Sequence, residues 1–336
     1  MIKQFFFLSL TTLFFSCGNE TEEIKVLQGN AFGTTYTIQY FSNVPLEAEK
    51  GIDSVFYVVN KSVSTYIPKS DISLINQGDT TVVADAIFKE IFRISETVFT
   101  NSNGYFDPTI GVLRNAYGFG DEKPLERIDS ITLDSLREFV GFRKVKILSN
   151  GTVRKDHPEI YFDFNAVAKG YGIDLLGRFL ESRGVENYLI ELGGELLAKG
   201  KNVAKNKPWL AGVEAVDSEL ENRTASAVIK LENKAMASSG NYRKFRIDEH
   251  SGQKYVHTIN PLTGRAQQSD VTSATVVAPN CALADAYATT FMAMGLERSK
   301  ELLPTLDQVE AYLTYVDADN NPKVFITEGF QELISE

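Results

Sequence analysis

Residues 161–174 read YFDFNAVAKGYGID and mark a change from one kind of secondary structure to another. The apolar run at residues 160–164 predicts a short buried strand. Small residues follow around Lys169, and apolar side chains then recur at helical spacing from Ile173 onward. The stretch therefore predicts a strand that turns directly into an amphipathic helix.

The start of this predicted helix has two interpretations. Backbone N–H groups at a helix N-terminus have no partners within the helix and can hold an anion, and Lys169 would add a positive charge. A crossover of small residues packed tightly under a sheet explains the same composition. Taken alone, the stretch favours packing, and only other segments of the chain can change that preference.

Helical and strand patterns mix along the chain without the regular rhythm of a parallel sheet. The predicted helices cover residues 46–63, 72–76, 84–100 and 282–294. The predicted strands, rich in β-branched and aromatic residues, cover residues 26–41, 188–192, 209–216, 224–231, 271–278, 310–316 and 323–327. Because several strands are joined by short turns, we expect an α+β fold with mixed, largely antiparallel sheets flanked by helices.

Length and charge limit the class of protein. The chain has 336 residues, of which 43% are hydrophobic, and a formal net charge of −10. This composition is that of a globular protein with a sizeable core, and no internal repeat or long linker divides it. We expect one domain over residues 24–336. A basic footprint for nucleic acid is absent, so we expect no nucleic-acid partner.

The first residues have the pattern of an export signal, which we exclude from the fold. Lys3 precedes an apolar core at residues 5–15 that is too short for a comfortable membrane span. Cys17 follows directly, so residues 1–16 resemble a bacterial lipoprotein signal with cleavage before Cys17 and lipid on its sulfur. An ordinary secretory signal or a short anchor is the alternative, but it leaves the position of the cysteine unexplained.

The remaining N-terminal residues and the cysteine count complete this prediction. Residues 17–23 are polar and acidic and are expected to form a tether. We expect the protein in the bacterial cell envelope, lipid-anchored to a membrane and facing the periplasm or the exterior. With Cys17 lipidated, Cys281 is unpaired, so an intramolecular disulfide framework is excluded. Three histidines in total exclude a histidine-rich metal site.

Two oxygen-bearing side chains in the predicted helix 282–294 form a candidate metal site. Asp285 and Thr289 lie one helical turn apart and face the same way. A carboxylate in such an alanine-rich helix is costly unless it has a partner. A few protein oxygens, completed by substrate phosphate and water, suit Mg²⁺.

Two further residues have a functional and a structural interpretation. His257 lies where a strand meets a turn, and it can act as a base or hydrogen-bond a phosphate, although a structural role is the usual one for a single histidine. Asp107 precedes a proline, which keeps it out of the helical region and can present its carboxylate rigidly. An ordinary N-cap with proline at the first helical position also explains Asp107, and without other context this capping role is favoured.

Several motifs, taken in order, resemble those of the FAD:protein FMN transferases, or ApbE family. They cover essentially everything after the tether and comprise residues 32–35 (FGTT), 64–66 (STY), 106–109 (FDPT), 163–171, 193–194 (GG), 238–242 (SSGNY), His257 with 261–264 (PLTG), and 284–286 with Thr289. Each motif is weak alone, but their combined order is highly specific. Phe32, Asn260 and Glu195 depart from the family's common Met, Asp, and Asp or Asn, and none of these changes removes a proposed metal ligand.

The resemblance implies an enzyme that binds FAD with Mg²⁺, cleaves its pyrophosphate and transfers FMN to a Thr or Ser hydroxyl of an acceptor flavoprotein subunit, releasing AMP. The backbone carbonyl of Ala166 and the side chains of Asp285 and Thr289 would hold the metal. His257 would be the catalytic histidine. The residues implied for FAD binding are Phe32, Tyr66, Tyr105, Phe106, Asp107, Asp163, Lys169, His257 and Ile259.

Two other functions use much of the same sequence. A lipoprotein that binds FAD without chemistry would keep the aromatic contacts but would not need His257 or the pair Asp285 and Thr289. A Mg²⁺-dependent FAD pyrophosphatase would use water in place of the acceptor hydroxyl. The sequence barely separates hydrolysis from transfer, because both need the same phosphate-binding groups.

Overall fold

The computed structural model describes residues 23–335 except 44–45, 216–223, 242–244, 248–251 and 253. The described α-helices are α1 Ala48–Val63, α2 Asp71–Asn76, α3 Ala86–Asn101, α4 Gly111–Ala116, α5 Ser130–Arg137, α6 Ala168–Ser182, α7 Cys281–Met294, α8 Leu296–Leu302 and α9 Glu328–Leu333. The described strands are β1 Ile24–Ala31, β2 Thr34–Phe41, β3 Val145–Ile147, β4 Val153–Lys155, β5 Asn187–Leu192, β6 Glu195–Lys199, β7 Trp209–Glu214, β8 Ala225–Leu231, β9 Lys234–Gly240, β10 Phe245–Ile247, β11 Lys254–Val256, β12 Val271–Ala278, β13 Glu310–Val316 and β14 Pro322–Ile326.

One large sheet organises the described strands. Eight of them lie side by side in the order β1-β2-β5-β6-β9-β12-β13-β14, and each neighbouring pair is antiparallel. The pairs β3–β4, β7–β8 and β10–β11 form separate antiparallel hairpins. The predicted α+β class with largely antiparallel sheets is therefore confirmed.

Helices α6 and α7 pack against each other, and α7 also packs on β9 and β12. The contact between the two helices requires a glycine at one point. A Cβ atom added to Gly170 would lie 2.3 Å from the carbonyl oxygen of Cys281, far inside van der Waals contact. The small residues around Lys169 therefore serve the close packing that their composition predicts.

Asp174 joins the same two helices at a second point. Its carboxylate oxygens accept hydrogen bonds from the backbone N–H groups of Cys281 at 2.7 Å and Ala282 at 2.9 Å. These N–H groups belong to the first turn of α7, where helix geometry leaves them without a partner. Two residues of α6 thus position α7: Gly170 allows the close distance between the two helices, and Asp174 caps the start of α7.

The strand predicted at residues 160–164 is wrong. Tyr161 makes only an isolated bridge to Ile110. The backbone of Phe162 bonds instead to the side chain of Asn76, with its N–H donating at 2.7 Å and its carbonyl accepting at 2.9 Å. A side-chain amide here replaces the neighbouring strand that an apolar run would otherwise need. The helix predicted to follow is confirmed and begins at Ala168.

Most of the other predicted helices are present in the structure, whereas two strands of the large sheet were not predicted. The helices predicted at 46–63, 84–100 and 282–294 are confirmed as α1, α3 and α7, with small shifts at their ends. The pattern predicts no strand at β6 or β9, although both lie inside the large sheet. The amino-terminal predictions, including Cys17, fall outside the described residues. Among the described residues, no helix is both long enough and apolar enough to cross a membrane.

Candidate active site

A cavity of about 750 Å³ opens where α6, α7, β9 and the segment after β11 meet. Its volume is within the usual range for a small-molecule site. The predicted site residues that line it are Tyr105, Phe106, Asp107, Asp163, Ala166, Lys169, His257, Ile259, Asp285 and Thr289. The fold thus brings together residues that lie up to 184 positions apart in the chain, from Tyr105 to Thr289.

Asp285 and Thr289 reach this cavity from adjacent turns of α7. Asp285 is 5% exposed, and its Oδ2 accepts a hydrogen bond from the backbone N–H of Gly170 at 3.1 Å. Burial raises the pKa of Asp285, while the charge of Lys169 and the Gly170 N–H act in the opposite direction. The hydroxyl oxygen of Thr289 lies 3.4 Å from that of Ser239 on β9.

Lys169 forms an ion pair inside the cavity wall. Its Nζ lies 2.6 Å from Oε2 of Glu195, which is 3% exposed. Burial lowers the pKa of Lys169, but the negative charges of Glu195 and Asp285 outweigh it, so the net pKa is raised. Burial raises the pKa of Glu195, and the ammonium group limits that rise. The predicted anion-binding lysine is therefore held in place by a carboxylate.

A two-residue turn fixes the position of Glu195. Gly193 and Gly194 have φ angles of 61° and 104°, and Leu192 pairs with Glu195 across them. Tight hairpins of this kind favour glycine because both central residues need positive φ. The Gly194 N–H also donates to Oε1 of Glu191 at 2.8 Å. The sequence marks this turn as a place where backbone can meet a ligand, and Gly193 and Gly194 do line the cavity.

The donor atoms around α7 fit a hard cation. Asp285, Thr289 and Ala166, which carry a carboxylate, a hydroxyl and a backbone carbonyl, all line the same cavity. Within the described ranges, no cluster of three or more His, Cys, Asp or Glu side chains is arranged to hold a metal ion. A cation here would therefore be held by the mixed oxygen set, with water or substrate oxygens in the other positions, which is the coordination that Mg²⁺ accepts readily.

Asp163 belongs to a second polar network in the cavity lining, which Arg114 completes. The Arg114 guanidinium pairs with the Asp163 carboxylate and donates to the carbonyl of Phe119 at 2.6 Å and to the hydroxyl of Tyr66 at 3.3 Å. Asp163 also accepts from the backbone and side-chain nitrogens of Asn165, both at 2.8 Å. Arg114 lines the cavity and is absent from the predicted set, because one arginine in a short helix gives no motif or periodic signal.

The carboxylate of Asp107 is occupied by the protein itself. Its Oδ1 accepts from the backbone N–H and the hydroxyl of Thr109, and its Oδ2 accepts from the backbone N–H of Phe142 at 3.0 Å. Burial raises the pKa of Asp107 despite these bonds. The residue lies in the cavity wall, but its side chain secures the loop. It does not cap a helix, because α4 begins after Ile110 and has no side-chain cap.

Phe32 and Tyr66 lie outside the described lining of the cavity. Phe32 occupies the turn between β1 and β2 with a φ of 51°, and its ring packs edge-on against Phe56 at 5.3 Å between centroids. Tyr66 is 59% exposed and reaches the site only through its hydroxyl contact with Arg114. Any contact of these two rings with a ligand would need that ligand to extend beyond the cavity.

His257 and Ile259 follow β11 and enter the cavity wall from one short segment. The buried hydroxyl of Thr258 donates to Oδ1 of Asn241 at 2.9 Å and anchors this segment to the end of β9. Asn260, at the position where the family often has Asp, accepts from the backbone N–H groups of Leu262 and Thr263. An amide oxygen is thus sufficient to organise that turn.

These features define an α+β protein whose candidate site lies between two packed helices and one antiparallel sheet. A family model described as "ApbE family" matches residues 32–313. The chain belongs to the ApbE family, and the resemblance drawn from the sequence motifs is confirmed.

Relatives and solved structures agree with this assignment. The chain is 32% identical to an FAD:protein FMN transferase of Vibrio cholerae, over 98% of both chains. It is 33% identical to one of Haemophilus influenzae, over 85% of both chains. The structure of the flavin transferase ApbE from Vibrio cholerae is similar with a TM-score of 0.82 at 30% identity, covering 93% of this chain and 99% of that one. The apo form of the Pseudomonas stutzeri flavinyl transferase ApbE gives 0.81 at 25% identity, covering 94% and 98%.

Proposed function

We propose that the protein transfers FMN from FAD to a Thr or Ser hydroxyl of an acceptor protein, in a reaction that depends on Mg²⁺ and releases AMP. Family membership and the names of the relatives support flavin transfer from FAD to protein. The observation that carries the proposal is that Ala166, Asp285, Thr289 and His257 line one cavity. A ligand in that cavity would have the proposed oxygen donors and the proposed base on its lining.

The reaction balances as a substitution at phosphorus. The acceptor hydroxyl oxygen forms a bond to the phosphorus atom of the FMN half of FAD. The bond from that phosphorus to the bridging oxygen breaks, and AMP leaves with this oxygen. The hydroxyl proton passes to a base. Such transfers depend mainly on positioning and on neutralising phosphate charge.

The metal would be held by the carbonyl of Ala166, the carboxylate of Asp285 and the hydroxyl of Thr289. When bound, Mg²⁺ supplies neutralisation of pyrophosphate charge and orientation of the two phosphates. The buried Asp285 offers a negative charge with one backbone hydrogen bond from Gly170, so a cation would offset the cost of its burial.

Lys169 and His257 would act on the substrate side of this site. The Lys169 ammonium, held by Glu195 at 2.6 Å, would contribute positive charge to the phosphate-binding wall. His257 is the proposed base, because a hydroxyl is a poor nucleophile until its proton is removed. Its segment is anchored to the end of β9 by the hydrogen bond from Thr258 to Asn241.

One incubation tests the proposal against its two alternatives. The full mature chain is mixed with FAD, Mg²⁺ and the flavin-free form of a flavoprotein subunit that normally carries FMN on a threonine. In-gel fluorescence after denaturation, with chromatography of the nucleotides, gives the result. A fluorescent acceptor band with one AMP released per FMN attached supports transfer. Free FMN with AMP and an unlabelled acceptor would identify a pyrophosphatase, and unchanged FAD would identify a binding protein.

We also propose that the mature chain begins at Cys17 and is lipid-anchored in the bacterial cell envelope, with residues 17–23 as a tether and residues 24–336 as one domain. The support is the order of a lysine, a short apolar core and a cysteine in residues 1–17. Labelling with a radioactive fatty acid tests it. Incorporation in the wild type that is lost in Cys17→Ser is expected, and equal labelling of both would contradict it.

A further inference from the structure

Three charged side chains meet at one side of the cavity: Lys169, Glu195 and Asp285. Both carboxylates are nearly fully buried, with exposures of 3% for Glu195 and 5% for Asp285. Lys169 lies within the electrostatic reach of both. The Lys169 side chain is partly buried, with 29% of it exposed, and it is flexible enough to pair with either carboxylate. The choice decides which carboxylate stays available.

In the structure the ion pair is made with Glu195, at 2.6 Å. Asp285 is held instead by the Gly170 N–H, which occupies only its Oδ2. An ammonium group that pairs closely with a carboxylate occupies one of its oxygens and repels a divalent cation, so such a carboxylate binds the cation less readily. The pairing seen here therefore favours cation binding at Asp285.

The backbone makes this choice of partner firm. Glu195 is the first residue of β6 and is positioned by the Gly193–Gly194 turn, whose two positive φ angles leave little freedom. Lys169 lies in the first turn of α6, where Gly170 is pressed against the carbonyl of Cys281. Neither side chain can change its position by much through backbone movement.

We infer that Glu195 is a positioning residue that holds Lys169 away from Asp285 and so keeps the Asp285 carboxylate available to a divalent cation. The inference rests on the proposed function, because it assumes a cation site at Asp285 and Thr289. Glu195 would thus act on cation binding through its ion pair with Lys169, without itself touching the cation.

Charge and shape can be separated by substitution. Glu195→Gln keeps the shape but removes the charge, so Asp285 becomes the remaining carboxylate for Lys169. Cation binding should then weaken by about tenfold or more, the usual effect of losing a group that orients a ligand. Adding Lys169→Met removes the competing ammonium, so the double variant should recover wild-type cation affinity. If the role of Glu195 were purely structural, removing the Lys169 ammonium would not restore cation affinity.

The probe is Mn²⁺ alone, titrated into the full chain without FAD and followed by the electron paramagnetic resonance signal of the free ion. The set comprises the wild type, Glu195→Gln, Glu195→Gln/Lys169→Met, Asp285→Ala and the control Glu191→Gln. Glu191 lies in the same hairpin and accepts from Gly194, so its variant reports damage to the turn itself. Thermal unfolding of each variant shows that it is folded.

The expected result is weaker Mn²⁺ binding in Glu195→Gln, recovery in the double variant and no change in Glu191→Gln. Unchanged affinity in Glu195→Gln, or no recovery in the double variant, would overturn the inference while leaving the cation site intact. If Glu195→Gln does not fold, Glu195→Asp replaces it, because aspartate keeps the charge on a shorter side chain. Wild-type Mn²⁺ affinity in Glu195→Asp supports the role of the charge. Weaker Mn²⁺ binding that is not recovered on adding Lys169→Met contradicts the inference. Equal affinity in the wild type and Asp285→Ala would instead refute the cation site of the proposed function.

Discussion

The backbone N–H of Gly170 donates to Oδ2 of Asp285 at 3.1 Å, and this bond joins the first turn of α6 to α7. The bond can form because Gly170 has no side chain and the two helices can pack closely. A Cβ atom at this position would lie only 2.3 Å from the carbonyl oxygen of Cys281. The proposed metal ligand and the small residues after Ala166 are therefore parts of one contact. Helix packing and the site have a common origin.

Replacing Gly170 by Ala should damage both packing and the site. The added methyl group meets backbone atoms of Cys281, which cannot move aside as a flexible side chain would. We expect a loss of about 1–3 kcal/mol in the free energy of unfolding, measured by urea titration, together with weaker Mn²⁺ binding. Gly212→Ala is the control, because its methyl group would meet Ala225 at an ordinary 3.5 Å. An unaltered stability in Gly170→Ala would show that the helices can separate freely.

Asp174 should make stability depend on pH in an unusual direction. Burial raises its pKa from 3.8 to about 6, although the N–H groups of Cys281 and Ala282 oppose the shift. Because the folded protein then binds the proton more tightly than the unfolded chain, the contribution of this group to stability is greatest below pH 4 and falls as pH rises to about 6. The full change corresponds to about 3 kcal/mol.

Asp174→Asn isolates this effect, since an amide does not titrate. The free energy of unfolding of the wild type, relative to the variant, should fall between pH 4 and 7 in guanidinium titrations. Asp129→Asn is a useful comparison, because hydrogen bonds from Thr132 lower the pKa of this exposed carboxyl and its stabilising effect is lost as pH falls. A constant difference between wild type and Asp174→Asn across this range would refute the assignment.

Two neighbouring threonines on α7 offer a matched test of the cation site. Thr289 faces the cavity, whereas the hydroxyl of Thr290 donates to the carbonyl of Ala286 within the buried face of the helix. Thr289→Val should raise the Mg²⁺ concentration needed for half-maximal transfer by roughly tenfold or more. Thr290→Val should leave that concentration unchanged. Equal values for the two variants would remove Thr289 from the proposed ligand set.

His257→Ala should separate binding from chemistry. Loss of a positioned base typically slows a reaction by about 10²–10⁴-fold, and the affinity for FAD should change little because other residues form most of the cavity wall. Flavin fluorescence titration measures the affinity, and the rate of acceptor labelling measures transfer. Wild-type labelling by the variant would exclude His257 as the base, and lost FAD binding would make it a binding residue instead.

Local patterns predicted the fold well where a segment decides its own structure. Helices α1 and α3 follow apolar spacing, and α7 is a run of small and apolar residues. Asp85 caps the start of α3, and Asn280 caps the start of α7. The apolar run at residues 160–164 misled because its backbone is satisfied by Asn76, a residue more than 80 positions earlier. Strand β9 was not predicted, because its residues, KAMASSG, are mostly small and none is β-branched. Its strand conformation comes from pairing with β6 and β12.

The candidate site divides in the same way. Asp285 and Thr289 could be paired from helical spacing, and family motifs indicated Ala166, Lys169 and His257. The ion pair of Lys169 with Glu195 and the network of Arg114 with Asp163 could not be predicted, because each joins segments far apart in the chain and no motif states which side chains pair. Tertiary contacts of this kind need the three-dimensional structure.

The most direct test of the account is the mass of the acceptor subunit after incubation with FAD and Mg²⁺, with wild type and Asp285→Ala compared side by side. With the wild type we expect the mass of the acceptor to rise by the mass of FMN less one water, as one FMN becomes esterified to a Thr or Ser residue, and one AMP to be released. We also expect that Asp285→Ala adds no FMN to the acceptor, although a thermal unfolding measurement shows that this variant is folded. An unmodified acceptor with the wild type, or full modification by Asp285→Ala, would contradict it.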